Sequence, residues 1–268
     1  MDKPLLLVGY KGMLGTELMR ILTESGTWTV PVDVDEMDVT SSEAVIETFA
    51  NHRPSIVINA SAFTDVDGCE SKADAAHRVN ALGPENLARA AADNGSVLVH
   101  VSTDYVFDGT KGIPYKEDDS MNPLGVYGQS KADGEKRVRE IIPENHCIVR
   151  TQWLYGLHGK NFVDTIMRLA QSNDVLRIVN DQYGSPTYAP DLADALVKLV
   201  GMRGRGTFHV TNSGLTTWCD FARRIVERSS RRKVVVESMS TEELQRPAPR
   251  PLYGSIKVAK PSLKPFPA

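Results

Sequence analysis

Through its first 150 residues the chain alternates short apolar runs with stretches whose apolar residues recur at helical spacing. Leu5-Leu-Leu-Val8 is a continuous apolar run, the pattern of a strand buried on both faces of a parallel sheet. Behind it Met13, Leu14, Leu18, Ile21 and Leu22 share one side of a helix. Trp28–Val34, Ile56–Asn59, Val97–Val101 and Cys147–Arg150 read as further strands. Helical patterns cover Ala73–Asp93 and Leu124–Ile141, and Thr40-Ser-Ser-Glu43 has the spacing of a capping box opening a helix to Ala50. Strand–helix alternation with right-handed crossovers predicts an α/β fold: a doubly wound parallel sheet of Rossmann type, with ligands at the carboxyl ends of its strands.

After residue 155 the texture changes. Helices over Phe162–Gln171, Asp191–Val200 and Trp218–Ser229 alternate with strands at Leu176–Val179, Thr207–Val210 and Lys233–Glu237. Pro186, Pro190, Pro247, Pro249 and Pro251 punctuate this part. It predicts a division into a dinucleotide-binding domain, residues 1–155, and a smaller substrate-binding α/β region, residues 156–268, with segments that return to the sheet. The tail Pro261-Ser-Leu-Lys-Pro-Phe-Pro-Ala268 cannot close as a helix.

Composition narrows the class. The 268 residues are 41% hydrophobic and 24% charged, ordinary for a globular protein. A net charge of −3 gives no electrostatic case for nucleic acid or an anionic membrane. The basic cluster Arg223, Arg224, Arg228, Arg231, Arg232 and Lys233 reads as a solvated face. No apolar stretch approaches a membrane span, and Met-Asp-Lys-Pro leads into a strand without a signal peptide. Cys69, Cys147 and Cys219 are far apart and lack ligand spacing, so they read as reduced thiols of a cytoplasmic protein with no metal site.

Two motifs carry chemistry. In Gly9-Tyr10-Lys11-Gly12-Met13-Leu14-Gly15, between the first strand and its helix, the glycines allow a tight turn, close approach to a pyrophosphate and close helix–strand packing. The helix start adds free amides and a positive dipole end. Asp33 or Asp35, past the second strand, can accept from a ribose 2′-hydroxyl, whereas Lys11 can pair with a 2′-phosphate. Both NADH and NADPH are therefore expected to work, with Asp38 and Val39 beside the adenine. Tyr127 and Lys131, four apart on a helix, share one face, and a nearby ammonium brings a phenol's pKa toward the working range. Upstream, Val99-His-Val-Ser-Thr103 ends a strand in hydroxyls, so Thr103 or Ser102 can hydrogen-bond a reacting carbonyl. Together they predict carbonyl reduction.

The segments G-Y-K-G-M-L-G, I-N-A-S-A-F-T-D-V-D, V-S-T-D-Y-V-F-D-G, Y-G-Q-S-K, R-T-Q-W-L-Y-G, N-D-Q-Y-G-S-P-T and R-P-A-P-R-P resemble the dTDP-4-dehydrorhamnose reductases, which are extended short-chain dehydrogenase/reductases. The resemblance spans residues 5–257. It implies NADPH- or NADH-dependent reduction of the C4 ketone of a dTDP-linked 4-keto-6-deoxy sugar, with Tyr127 as proton donor, Lys131 on the nicotinamide ribose and Thr103 on the ketone. It further implies cofactor contacts from Ser61, Ala62 and Phe63, and sugar contacts from Thr64, Val66, Ser102, Asp104, Tyr105 and Trp153. Gln182, within Asn180–Thr187, would help seat the dTDP moiety, and Arg246 or Arg250 would meet its phosphates.

Family members usually continue into a final amphipathic helix, and some dimerise through a metal held by acidic residues. Here the chain ends in prolines with no acid, and Pro190 occupies the first acidic neighbourhood, although Asp191 is adjacent. Magnesium is therefore not supported, and a monomer or weak homodimer is expected. Related readings are another nucleotide-sugar reductase, epimerase or dehydratase, or a non-catalytic regulatory subunit like that of methionine adenosyltransferase. Tyr105 after Asp104 disfavours the dehydratase, whose pair is commonly Asp-Glu.

Overall fold

The computed structural model describes residues 3–229 and 233–256. In chain order the first half contains β1 (Leu5–Val8), α1 (Met13–Glu24), β2 (Thr29–Val32), α2 (Ser42–His52), β3 (Ile56–Asn59), α3 (Val66–Ser71), α4 (Ala73–His77), α5 (Gly83–Asn94) and β4 (Val97–Thr103). Next come α6 (Val126–Ile141), β5 (His146–Thr151), β6 (Leu154–Tyr155), α7 (Phe162–Ser172), β7 (Val175–Val179), β8 (Tyr183–Gly184) and β9 (Thr187–Tyr188). The chain continues through α8 (Ala189–Gly201), β10 (Gly206–His209), β11 (Thr216–Thr217), α9 (Trp218–Ser229), β12 (Val235–Met239) and α10 (Thr241–Leu244).

Six strands form the central sheet in the order β2-β1-β3-β4-β5-β10, every neighbouring pair parallel. From β1 the chain turns first to β2 on one side, then crosses to β3 on the other, which opens a crevice at the carboxyl ends of β1 and β3. Alternation along each strand supplies two cores. Leu6, Val57, Leu98 and Ile148 face α2, α5 and α6 through Val45, Phe49, Leu87 and Val138. Leu5, Leu7, Val99 and Val149 face α1 and α8 through Leu14, Leu18, Leu192 and Leu196. β10 and α8 thus belong to the main sheet although they lie past residue 155. The smaller lobe packs α7 on α9 through Ile166, Ala170, Ala222 and Ile225, beside the parallel pair β7–β12.

Local chemistry departs from the sequence reading at three places. The expected single helix over Ala73–Asp93 is broken by a π-helical turn at Arg78–Leu82. Pro84 has no N–H to donate to the Asn80 carbonyl, so the ordinary i→i−4 bond is missing and the turn widens there. The freed Asn80 carbonyl lies where a Cβ on Gly134 of α6 would collide with it. The capping box at Thr40–Glu43 is not formed: Ser41 caps α2 by accepting from Ala44 N (3.2 Å), while Thr40 accepts from Arg78. A reciprocal box does open α10, between Ser240 and Glu243. Helix α3, at six residues, is too short to show periodicity in the sequence.

The prolines of 261–268 lie outside the described residues, as do Arg231 and Arg232 of the basic cluster. In that cluster Arg224 pairs with Glu227 and Arg223 with Asp220 on the outer face of α9. All three cysteines are buried and free. Among the described residues no helix is long and apolar enough to cross a membrane.

Helix α6 is tied to the sheet by charge. Glu135, with no exposed surface, takes Arg150 of β5 through two bonds (2.9 and 2.8 Å) and Arg139 at 2.6 Å. Burial works against the carboxylate, but the guanidinium of Arg150, aided by Arg139, holds its pKa below the usual range. Arg150 continues to the Glu117 carbonyl (3.3 Å) and His209 of β10 (3.3 Å). Glu135→Ala leaves Arg150 buried beside an empty space, so urea unfolding should show a loss of about 3–5 kcal/mol.

Candidate active site

A cavity of about 990 Å³ runs from the glycine loop along the carboxyl ends of β1, β3, β4 and β5 to Trp153 and Trp218. At one end the loop leaves β1 with Gly9 at φ +82°, and its N–H donates to Val32 O of β2 (2.8 Å). A Cβ on Gly9 would sit 2.7 Å from Ser61 N, and one on Gly15 would collide with the Gly9 carbonyl. Only glycine lets the loop fold this tightly against β3. Among the described residues no side chain caps the start of α1, so its first amides face the cavity beside Gly12, Met13 and Leu14. This cradle fits a dinucleotide pyrophosphate.

Past β2, Asp33 Oδ2 accepts from Lys11 N (3.0 Å) and its Oδ1 from Val34 N (2.9 Å). The Lys11 ammonium reaches Asp35 (2.7 Å) and Glu36 (3.3 Å), and the Asp35 hydrogen bond chiefly raises its pKa. Asp38 and Val39 lie on the cavity wall, with Asp38 Oδ1 accepting from Thr40 N (2.8 Å). Ser61 and Ala62 line the next stretch. Asn59 Oδ1 holds Ser61 through its N–H (3.0 Å) and hydroxyl (2.7 Å). Asn80 clamps the backbone of Phe63 at both ends (2.8 and 3.1 Å), so the π turn fixes the segment that leads to Thr64 and Val66 on the same wall.

At the sheet edge Thr103 ends β4 and caps the short turn Asp104–Val106, accepting from Tyr105 N (3.2 Å) and donating to Asp104 Oδ1 (3.1 Å). Tyr127 stands in the first turn of α6, its ring edge-on to Tyr105 at 5.4 Å, and Lys131 lies one turn further on. Lys131, 2% exposed, donates to Val101 O at 2.7 Å.

Burial dominates the electrostatics. It pushes Tyr127 above the usual phenol range, with the Thr103 hydroxyl acting the other way. It draws Lys131 down to about 8 against the Glu135 carboxylate, and pushes Asp104 up to about 7. The expected lowering of Tyr127 by Lys131 is therefore not what the site displays: desolvation dominates, and the Lys131 ammonium is directed to a backbone carbonyl. His100, buried below the site, is held well below its ordinary value by burial and by Lys131. Its Nδ1 faces the Asn59 amide donor (3.2 Å), which fixes a neutral ring protonated at Nε2.

Trp153, at φ +48°, stacks on Trp218 of α9 with ring centroids 3.7 Å apart. The sequence reading missed Trp218, and also Thr151 and Gln152, which follow β5 onto the wall. Thr151 is the register partner of Thr103, a relation visible only once β4 and β5 are paired. Ser102, Asp104 and Tyr105 also line the cavity. The wall formed by the described residues does not include Tyr10, Gly15, Phe63, Gln182, Arg246 or Arg250. Gln182 is buried against Thr241 (2.9 Å), and both arginines pair with Asp67 (2.9 and 3.0 Å). Among the described residues no group of three or more His, Cys, Asp or Glu is placed to hold a metal ion.

A family model described as the RmlD substrate binding domain matches residues 3–264. The chain is 41% identical over 251 residues to the spore coat polysaccharide biosynthesis protein SpsK of Bacillus subtilis, covering 94% of this chain and 88% of that one. It is 41% identical over 256 residues to a dTDP-4-dehydrorhamnose reductase of Streptomyces griseus, covering 94% and 84%. The structure of a dTDP-4-dehydrorhamnose reductase from Bacillus anthracis in complex with NADP superposes with a TM-score of 0.93 at 38% identity, over 97% of this chain and 92% of that one.

Asp104 generates a stability test. Its folded pKa is raised above the unfolded value, so ionising it destabilises the fold as pH climbs from about 4 to about 7. Asp104→Asn should match the parent melting temperature near pH 4 and exceed it increasingly up to pH 7–8, read by thermal melts across that range.

Proposed function

We propose a function from one established premise: the chain belongs to the RmlD substrate binding domain family. It is an NAD(P)H-dependent reductase that converts the C4 ketone of dTDP-4-dehydro-L-rhamnose to the alcohol of dTDP-L-rhamnose. The observation that carries this reading is the convergence of Tyr127, Thr103 and Lys131 at the far end of the cavity that begins in the glycine cradle. The named activities of the Streptomyces and Bacillus anthracis relatives support the same substrate and cofactor class.

When bound along the glycine loop, the dinucleotide supplies the hydride that adds to the carbonyl carbon. Tyr127 provides the balancing proton to the oxygen. The phenol is protonated at neutral pH, as a donor requires. The Thr103 hydroxyl, turning its one hydrogen from Asp104 Oδ1 to the ketone oxygen, orients and polarises the carbonyl. Lys131 would hold the nicotinamide ribose through its ammonium. Thr64, Val66, Asp104 and Tyr105 bound the sugar. Trp153, backed by Trp218, offers a flat apolar surface to the deoxysugar's C–H face. Capture of the diphosphate by Arg246 or Arg250 exchanges the Asp67 carboxylate for phosphate oxygens.

The test is nicotinamide oxidation followed by absorbance, with the keto-sugar made in place. Consumption matched by dTDP-L-rhamnose is expected. Tyr127→Phe should lower kcat by roughly 10²–10⁴-fold with dinucleotide affinity retained. Unchanged turnover in that variant would sink the mechanism.

A further inference from the structure

We infer that the charges around the carboxyl end of β2 make this chain select NADH over NADPH. In this inference Asp33 receives the adenosine ribose 2′-hydroxyl, while Asp35 and Glu36 engage the Lys11 ammonium that a 2′-phosphate at that place would draw on. The inference rests on the dinucleotide reading of the cavity.

The geometry starts from the loop. Gly9 N donates to Val32 O, so the chain leaving β2 runs directly beside the glycine turn, and Asp33 is the next residue on the cavity wall. Its carboxylate is fixed at both oxygens by the amides of Lys11 and Val34. A carboxylate has about four acceptor positions, so those two bonds leave capacity for a hydroxyl donor. An anchored acceptor about 20 residues past the glycine turn is the arrangement that reads a free ribose 2′-hydroxyl.

A 2′-phosphate meets the opposite situation. It brings a charge of roughly −1.5 to −2, like other phosphomonoesters. Where the chain leaves β2, three carboxylates gather about Lys11: Asp33, which lines the cavity with it, and Asp35 and Glu36 just outside that wall. The cation is already engaged by Asp35 at 2.7 Å and Glu36 at 3.3 Å. Glu36 is also held in place, because its second oxygen accepts from Asp33 N (2.9 Å). Lys11 has three N–H donors, so it can meet a phosphate only while its single charge is shared with two carboxylates that face the new anion. Because the Bacillus anthracis relative was solved with NADP, the fold itself does not bar a 2′-phosphate. The selection lies in these local charges.

The test is isothermal titration calorimetry of the full chain with NADH and with NADPH, at low and high sodium chloride. NADH should bind roughly tenfold to a hundredfold more tightly at low salt, with the gap narrowing as salt screens the repulsion. The double variant Asp35→Asn, Glu36→Gln frees Lys11 on an exposed segment, and the glutamine oxygen can still accept from Asp33 N. It should shift the affinity ratio toward NADPH by at least about fivefold. Equal or tighter NADPH binding by the parent chain, or an unmoved ratio in the double variant, would overturn the inference. Binding of neither dinucleotide would instead overturn the reading of the cavity on which it rests.

Discussion

Helix α6 comes close enough to the sheet to do chemistry because it carries no side chain where it meets backbone. A Cβ at Gly128 would collide with the Tyr105 carbonyl, and one at Gly134 with the Asn80 carbonyl. Those two contacts set the height of the helix over β4. That height lets Lys131 reach Val101 O and places Tyr127 beside Tyr105 and Thr103. One helical turn beyond Lys131, Glu135 meets Arg150, so the face that carries the reactive pair also carries the ionic anchor. Close packing and a buried charge pair thus serve the same end, holding the phenol in a fixed place at the sheet edge.

The same closeness explains the electrical character of the site. Away from water, each ionisable group is pushed toward its neutral form: Tyr127 and Asp104 upward, Lys131 and His100 downward. Neighbouring opposite charges reverse that drift only where they touch, as at Glu135. The reactive end of the cavity is therefore sparsely charged. At its adenosine end, by contrast, exposed carboxylates surround Lys11.

How much of this was legible beforehand follows from how local each signal is. The apolar runs Leu5–Val8 and Ile56–Asn59 and the helix Trp218–Ser229 appear with the limits read from sequence, since burial on both faces or one sustained stripe leaves little choice. The glycine loop, Asp33, Thr103, Tyr127 and Lys131 line up along one crevice because sheet order follows from strand–helix alternation. The π turn was hidden by a pattern that stays apolar through it, although Pro84 marks where an amide is missing. Thr151, Gln152 and Trp218 were unreadable as site residues for another reason. Their roles depend on strand pairing and on α9 folding back over β5, which are contacts between distant segments. Gln182 shows the converse, where a segment resembling a binding motif turns its glutamine into the packing against Thr241.

The stacked indoles of Trp153 and Trp218, both on the cavity wall, bind the two lobes together. The chain has three tryptophans, and the third, Trp28, is 61% exposed. The pair is therefore a built-in optical gauge. Two coupled chromophores, one following β5 and one on the smaller lobe, make near-ultraviolet circular dichroism and fluorescence sensitive to the spacing of the lobes. Movement of either ring changes a signal that Trp28, exposed away from the pair, leaves largely undisturbed.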